Sequence, residues 1–293
     1  MRARSVVTVV VVAALALGGY VVVRDWLLPR LSTGCTANAA GHRTRLDPEQ
    51  MGNAATIAAV GRLQGLPVRA AEIALVTALQ ESKLHNLSYG DRDSIGLFQQ
   101  RPSQGWGTRE QIADPRYASA KFYEELRRIP NWEELPLNDA AQQVQRSGHP
   151  TAYSKWETTG TTVALALSGA EGAAVACKYS TRSLSRQDVG PDGLTPRART
   201  LSGAIRAEFG SVPVRGTPEV HGRELEVQVP GESEPTARGW ALANWAVAHS
   251  RDYGVTRVSY HTQRWTAKSG DWARADKTTL GDGMMHVEVA KGN

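Results

Sequence analysis

Residues 78–107 read ALQESKLHNLSYGDRDSIGLFQQRPSQGWG, and this stretch decides how the rest of the chain is read. It places one carboxylate, Glu81, at the end of an apolar run, then a polar loop and a Gly-Leu-Phe-Gln turn. Upstream, Ala70, Ile73, Ala74, Thr77, Ala78 and Glu81 recur at intervals of three and four. That spacing predicts a helix over residues 68–83 with Glu81 on its apolar face. Burial disfavours the charged form of a carboxylate, and the negative end of the helix dipole does so again in the last turn. Glu81 is therefore expected to stay protonated near neutral pH. A carboxylic acid poised against a sugar is the group that breaking a glycosidic bond requires.

Working outward, Asp47-Pro48-Glu49-Gln50 is an N-cap, a Pro at N1 and a capping-box Gln. It opens a helix that Gly65-Leu66-Pro67 closes. Asp114-Pro115 opens another helix, through about residue 128. Asn138 is expected to cap a short one ending at Gln145, and residues 151–168 read as the last of this group. Strong strand alternation is missing between residues 47 and 170, so this segment reads as mainly α. Residues 180–195, STRSLSRQDVGPDGLT, are polar with Gly and Pro and read as a linker. Beyond it, Thr195-Pro196 opens a helix to about Phe209 and residues 236–250 form another. Residues 224–229, 257–261, 264–266 and 285–290 read as strands, giving an α+β order.

These residues carry a resemblance. Glu81-Ser82 followed by Gly96-Leu97-Phe98-Gln99 resembles the Glu-Ser and Gly-Leu-Met-Gln elements of soluble lytic transglycosylases and goose-type lysozymes. The fifteen-residue interval from Glu81 to Gly96 matches the transglycosylase arrangement, and Gly90-Asp91-Arg92 resembles the Gly-Asp-Arg of the goose-type enzymes. Two departures stand beside it: Phe98 replaces the usual Met, and Gln100-Arg101-Pro102 follows where goose-type enzymes carry an acidic residue. Taken whole, the chain is most similar to a bacterial group of membrane-anchored, two-domain proteins with such a lysozyme-like half. The resemblance implies a mainly α lysozyme-like domain over 47–179, with Glu81 as general acid and then base on the peptidoglycan glycan strand.

Around Glu81 the remaining candidates each have two readings. Asp91 is a second catalytic carboxylate or a turn former beside Gly90, and Asp93 is a weaker version of the same choice. Ser82 either orients Glu81 for substrate or bonds the backbone, while Gln99 is placed to hydrogen-bond a sugar. Trp106, between Gly105 and Gly107, stacks on a sugar face or fills the core. Tyr153 resembles the tyrosine that transglycosylases set opposite their glutamate, with Gln145 expected nearby, or it packs as an ordinary tyrosine with a hydroxyl partner.

The second half, residues 196–293, resembles more loosely the small zinc peptidase-like domains that trim cell-wall peptides. Gly222-Arg223-Glu224-Leu225-Glu226 and Met284-Met285-His286-Val287 stand at the family's motif positions. His286 is retained, whereas Glu219, Glu226 and Met284 replace two histidines and an aspartate. The expectation is a degenerate domain with no metal and no cofactor, and His221 is read as surface.

Residues 6–23 run eighteen positions without a charge, after Arg2 and Arg4. That suits an uncleaved membrane anchor (1–24), with 25–46 as juxtamembrane linker; a signal peptide cut near Ala14-Leu15-Ala16 is the alternative. A single span cannot line a transport pathway. Cys35 and Cys177 bracket the lysozyme-like segment, and a disulfide between them would agree with export of everything after residue 24. The alternative is two unpaired buried thiols. Closing so long a loop is worth on the order of 4–5 kcal/mol in the chain-entropy treatment. The net charge of +5 and a sequence pI near 9.3 suit work beside an anionic polymer. With no run of five Lys or Arg, a solvated basic surface is expected and no nucleic-acid partner; protein partners are not indicated. The expected activity is cleavage of peptidoglycan strands on the outer side of the membrane, the alternative a non-catalytic wall-binding or envelope scaffold protein.

Overall fold

The computed structural model describes residues 33–146, 151–217, 220–229, 236–275 and 283–292. The anchor read over residues 6–23 lies outside them. Among the described residues no helix is long and apolar enough to cross a membrane. The fold is α+β, with helices and sheets in both halves.

Strand β1 (Gly34–Ala39) and strand β2 (His42–Leu46) form a hairpin with Ala39 opposite His42. Its two-residue turn, Ala40-Gly41, has φ of 50° and 74°, the left-handed pair that lets a tight turn follow the strands' twist. β1 also pairs antiparallel with β3 (Val175–Lys178), giving the order β2-β1-β3. Cys35 faces Cys177 across this pairing, and the two form a disulfide. Residues 34–46, expected as linker, are thus built into the fold. Cys35, Ala37 and Ala39 do alternate into the interior, but such small side chains make a weak strand signal.

Between β2 and β3 lie the helices. α1 (Pro48–Leu63) starts with the expected capping box, Asp47 and Gln50 exchanging side-chain and backbone bonds. α2 (Val68–Glu81) is the central one, buried along Ala70, Ile73, Ala74, Thr77 and Ala78. It ends two residues before expectation because Lys83 and Leu84 adopt left-handed φ of 56° and 63°. α3 (Arg109–Ile112) and α4 (Pro115–Leu126) follow, then α5 (Leu137–Gln145). The cap position of α5 is Pro136. Asn138 sits inside the first turn instead, where its side-chain oxygen accepts from the Tyr153 backbone N–H at 3.2 Å. The expected helix over 151–168 divides into a 3₁₀ turn (Ser154–Trp156) and α6 (Glu157–Ser168). α6 approaches α2 closely at Gly160, where a Cβ would stand 2.6 Å from Val76 Cγ2.

The second half begins with α7 (Pro196–Phe209), capped by Thr195. It continues through β4 (Val214–Thr217), β5 (Glu224–Gln228), α8 (Ala237–Ala248) and α9 (Ser250–Tyr253). β6 (Val255–Tyr260), β7 (Gln263–Thr266), β8 (Trp272–Arg274) and β9 (Met284–Val289) complete it. Among the described residues the sheet runs β4-β5-β9-β6-β7-β8, every neighbour antiparallel. β4 and β8, four and three residues long, had no pattern to announce them.

The two halves share one core, with α8 buried nearly all round against α1, α6, β3 and β6. Asn244 on α8 donates to the Ala166 carbonyl at 2.9 Å and accepts from the Val175 N–H at 3.2 Å. Trp265 and Trp272 donate indole N–H bonds to the Cys177 and Val175 carbonyls. The edge of β3 is thus closed by side chains of the second half rather than left open. Residues 180–195 are not a loose tether either: Arg197 holds the Ser185 carbonyl and Arg199 clamps Asp192. Glu208 is buried at the junction, accepting from Trp245 Nε1 at 2.7 Å and from Thr56 Oγ1 at 3.3 Å. Thr56 Oγ1 in turn lies 3.2 Å from His249 Nε2.

Candidate functional site

A cleft with a volume of about 920 Å³ opens over the end of α2, lined by Glu81, Asp91, Gln99, Trp106, Gln145 and Tyr153 among others. Glu81 is the last residue of α2, half-buried on its floor. Tyr153 is almost fully buried and donates its hydroxyl to Glu81 Oε1 at 2.7 Å. Loss of solvent raises the Glu81 carboxyl above its ordinary range; the Tyr153 hydrogen bond and the Lys83 charge pull the other way without cancelling it. The result is an acid that holds its proton longer than a surface glutamate, with a donor in place for the moment it loses it.

Ser82 does not line the cleft. Buried at the helix end, its hydroxyl is placed to donate to the Leu97 carbonyl at 2.8 Å, with the Ala78 carbonyl at 3.1 Å. It fastens the Gly-Leu-Phe-Gln turn to the residue after Glu81, which explains physically why the two motifs sit together. Gly96 has φ of 80° and lies so near the Ile112 carbonyl that a Cβ would be 2.9 Å away. Phe98 points into the core, fully buried and stacked on Phe122 with centroids 4.6 Å apart, so its side chain serves packing rather than the cleft.

Gln99 lines the cleft while its amide ties the loop together, accepting from Ser94 Oγ at 3.0 Å and donating to the Tyr89 and Gly96 carbonyls. Asp91 also lines the cleft, with its side chain 91% exposed and Arg92 3.9 Å away. Asp93 accepts from Arg101 Nε at 2.8 Å and from the Ser103 N–H and hydroxyl at 2.8 and 3.0 Å. Those donors hold it well below the usual carboxylate range, so it is an ionised staple for the loop. Trp106 packs one side against the core and offers the other to the cleft, between Gly105 and Gly107 with φ of 82° and 133°. Gln145 donates to the Phe98 carbonyl at 3.2 Å. Sequence reasoning missed another part of the lining, where Lys121, Glu124 and Glu125 of α4 and Arg128 just past its end form a chain of ion pairs. Their helical periodicity marks an exposed face but not what it faces.

No family model matches the chain, and no curated protein matches it.

On the sheet of the second half, the registers place Glu224 beside Glu288 and Glu288 beside Arg257. Glu224 lies 2.8 Å from His286 Nδ1 and 3.0 Å from Arg257, and Arg257 and Arg223 both pair with Glu288. The His286 and Arg257 partners hold the Glu224 carboxyl below its ordinary range despite partial burial. Among the described residues no group of three His, Cys, Asp or Glu side chains is arranged to hold a metal; Glu219 lies outside them. His221 is exposed.

Proposed function

We propose that the chain cuts the glycan strand of peptidoglycan between N-acetylmuramic acid and N-acetylglucosamine, as a lytic transglycosylase-like enzyme. The single observation that carries this reading is Glu81: a carboxyl with raised proton affinity on the floor of a cleft of oligosaccharide size, held by a tyrosine hydroxyl at 2.7 Å. In the reaction the Glu81 carboxyl gives its proton to the glycosidic oxygen as the bond from that oxygen to the muramic C1 breaks. Positive charge develops on the sugar ring while Glu81 is left as a carboxylate, stabilised by the Tyr153 hydroxyl. Glu81 then takes the proton of the muramic 6-hydroxyl as that oxygen bonds to C1. The product is a 1,6-anhydro sugar, and Glu81 ends protonated as it began.

The choice of internal attack over water rests on the other carboxylates lining the cleft. Asp91 stands out in solvent, and Glu124 and Glu125 are ion-paired to Lys121 and Arg128. Internal attack requires only one carboxylate, and Glu81 supplies it. The disulfide supports action in an oxidising compartment outside the cytoplasm, with the apolar run at residues 6–23 as membrane anchor. Incubating the full chain with a suspension of purified peptidoglycan tests the reading: turbidity should fall with the wild type and stay level with Glu81→Gln. Equal clearing by both would remove Glu81 from the mechanism. Binding by both with no clearing would favour a wall-binding scaffold.

A further inference from the structure

A separate depression of about 400 Å³ has a lining that includes Arg43, Arg45, Gln50, Lys83 and Trp156. It is built from the same two segments as the site of Glu81. Residues 80–83 put Glu81 in the cleft and Lys83 in the depression, while residues 153–156 put Tyr153 against Glu81 and Trp156 against Lys83. Trp156 Nε1 donates to Gln80 Oε1 at 2.9 Å and locks the two segments together. Lys83 Nζ lies 4.6 Å from the centre of the Trp156 ring, and Lys155 Nζ lies 5.7 Å from it.

The charge there is one-sided. Three cations and no carboxylate line the depression. Among the described residues Arg43, Arg45, Lys83 and Lys155 enter no salt bridge, and the nearby carboxylates of Asp47 and Glu49 face His85 instead. Arg43 and Arg45 extend from β2, an outer strand of its sheet, where guanidinium groups are free to fork onto a planar anion. A basic hollow with an aromatic wall, reached two residues along the chain from the reacting carboxyl at Lys83, suits an anionic group attached to whatever occupies the cleft.

We infer that this depression takes the carboxylates of the peptide stem carried by the muramic residues of the glycan strand. The inference rests on the glycan reading of the cleft and adds to it the part of the polymer that selects peptide-bearing strands.

The test uses the full chain carrying Glu81→Gln, so that strands bind without turnover, with and without Arg43→Glu/Arg45→Glu. Both arginines are exposed, and far-UV circular dichroism with a melting curve checks that the fold survives. The probes are peptidoglycan oligomers with intact stems and the same oligomers stripped of peptide by an amidase and then methyl-esterified at the lactyl carboxylate that the amidase leaves. The parent should prefer stem-bearing oligomers by about tenfold in Kd. That preference should vanish in the charge-reversed protein, and also at about 1 M salt, where the screening length is near 3 Å. An Arg43→Lys/Arg45→Lys protein should keep most of it. Stripped oligomers should bind the parent and the reversed protein equally. An unchanged preference in the reversed protein overturns the inference and leaves the cleft reading standing; failure of both oligomers to bind any variant overturns both.

Discussion

Removing one oxygen from Tyr153 probes the environment that sets Glu81. In Tyr153→Phe the ring that fills the core remains, while the 2.7 Å hydrogen bond to Glu81 Oε1 is lost. A hydrogen bond to a charged group is worth about 1.5–3 kcal/mol, and each 1.4 kcal/mol is a factor of ten in an equilibrium. That bond favours the ionised form. Its loss should make Glu81 about ten- to a hundredfold less ionised at a given pH in its titration range. The reaction begins with protonated Glu81, so rates fall as pH rises through its titration, and the variant should fall later. Initial rates of fragment release across roughly pH 4 to 9 should show the basic limb displaced to higher pH, with a lower maximal rate because the carboxylate formed in mid-reaction loses its donor. An activity-free check is the pH dependence of unfolding in Tyr153→Phe against Tyr153→Phe/Glu81→Gln. The difference between that pair should extend to higher pH than the difference between wild type and Glu81→Gln. A basic limb that stays in place, or moves to lower pH, would refute the assignment of Tyr153 as the donor to Glu81.

Three further outcomes follow from the fold. Replacing both Cys35 and Cys177 by Ser frees a loop of 142 residues and should cost about 5 kcal/mol by the chain-entropy argument, read as a lower urea midpoint. Gly169→Ala should destabilise the chain by roughly 2–4 kcal/mol in the same assay. Gly169 has φ of 78°, and a Cβ there would stand 1.9 Å from the Ala237 carbonyl, forcing α6 and α8 apart. Burial raises the Glu208 carboxyl above its ordinary range, opposed first by the charge of His249. A raised acid contributes stability that is complete below its unfolded value, near 4.5, and lost as pH rises through the folded value. Melting temperatures of the wild type should therefore fall with pH above that point, and Glu208→Gln should remove that component.

How much of this was readable beforehand depends on sequence distance. Glu81 at the end of an apolar helix was legible because its burial follows from neighbours three and four residues away. The capping box at Asp47 and the Thr195-Pro196 start were legible for the same local reason. Strand β1 was not, since its partner β3 lies about 140 residues further on and its interior positions are Cys and Ala. Residues 236–250 read as a helix, but nothing in them announced that Asn244, with Trp265 and Trp272, would close the edge of β3 and fuse the halves. The role of Ser82 became clear only with Leu97 folded back onto it. Arg43, Lys83 and Trp156, distant in the chain, become one basic hollow only in three dimensions.

The most direct measurement of the central claim is the mass of the fragments released from purified peptidoglycan by the wild type and by Glu81→Gln. The account predicts muropeptides lighter by one water than hydrolysis products, ending in a 1,6-anhydro sugar, from the wild type alone. Anhydro fragments from Glu81→Gln at the wild-type rate, or no fragments from either protein, would contradict it.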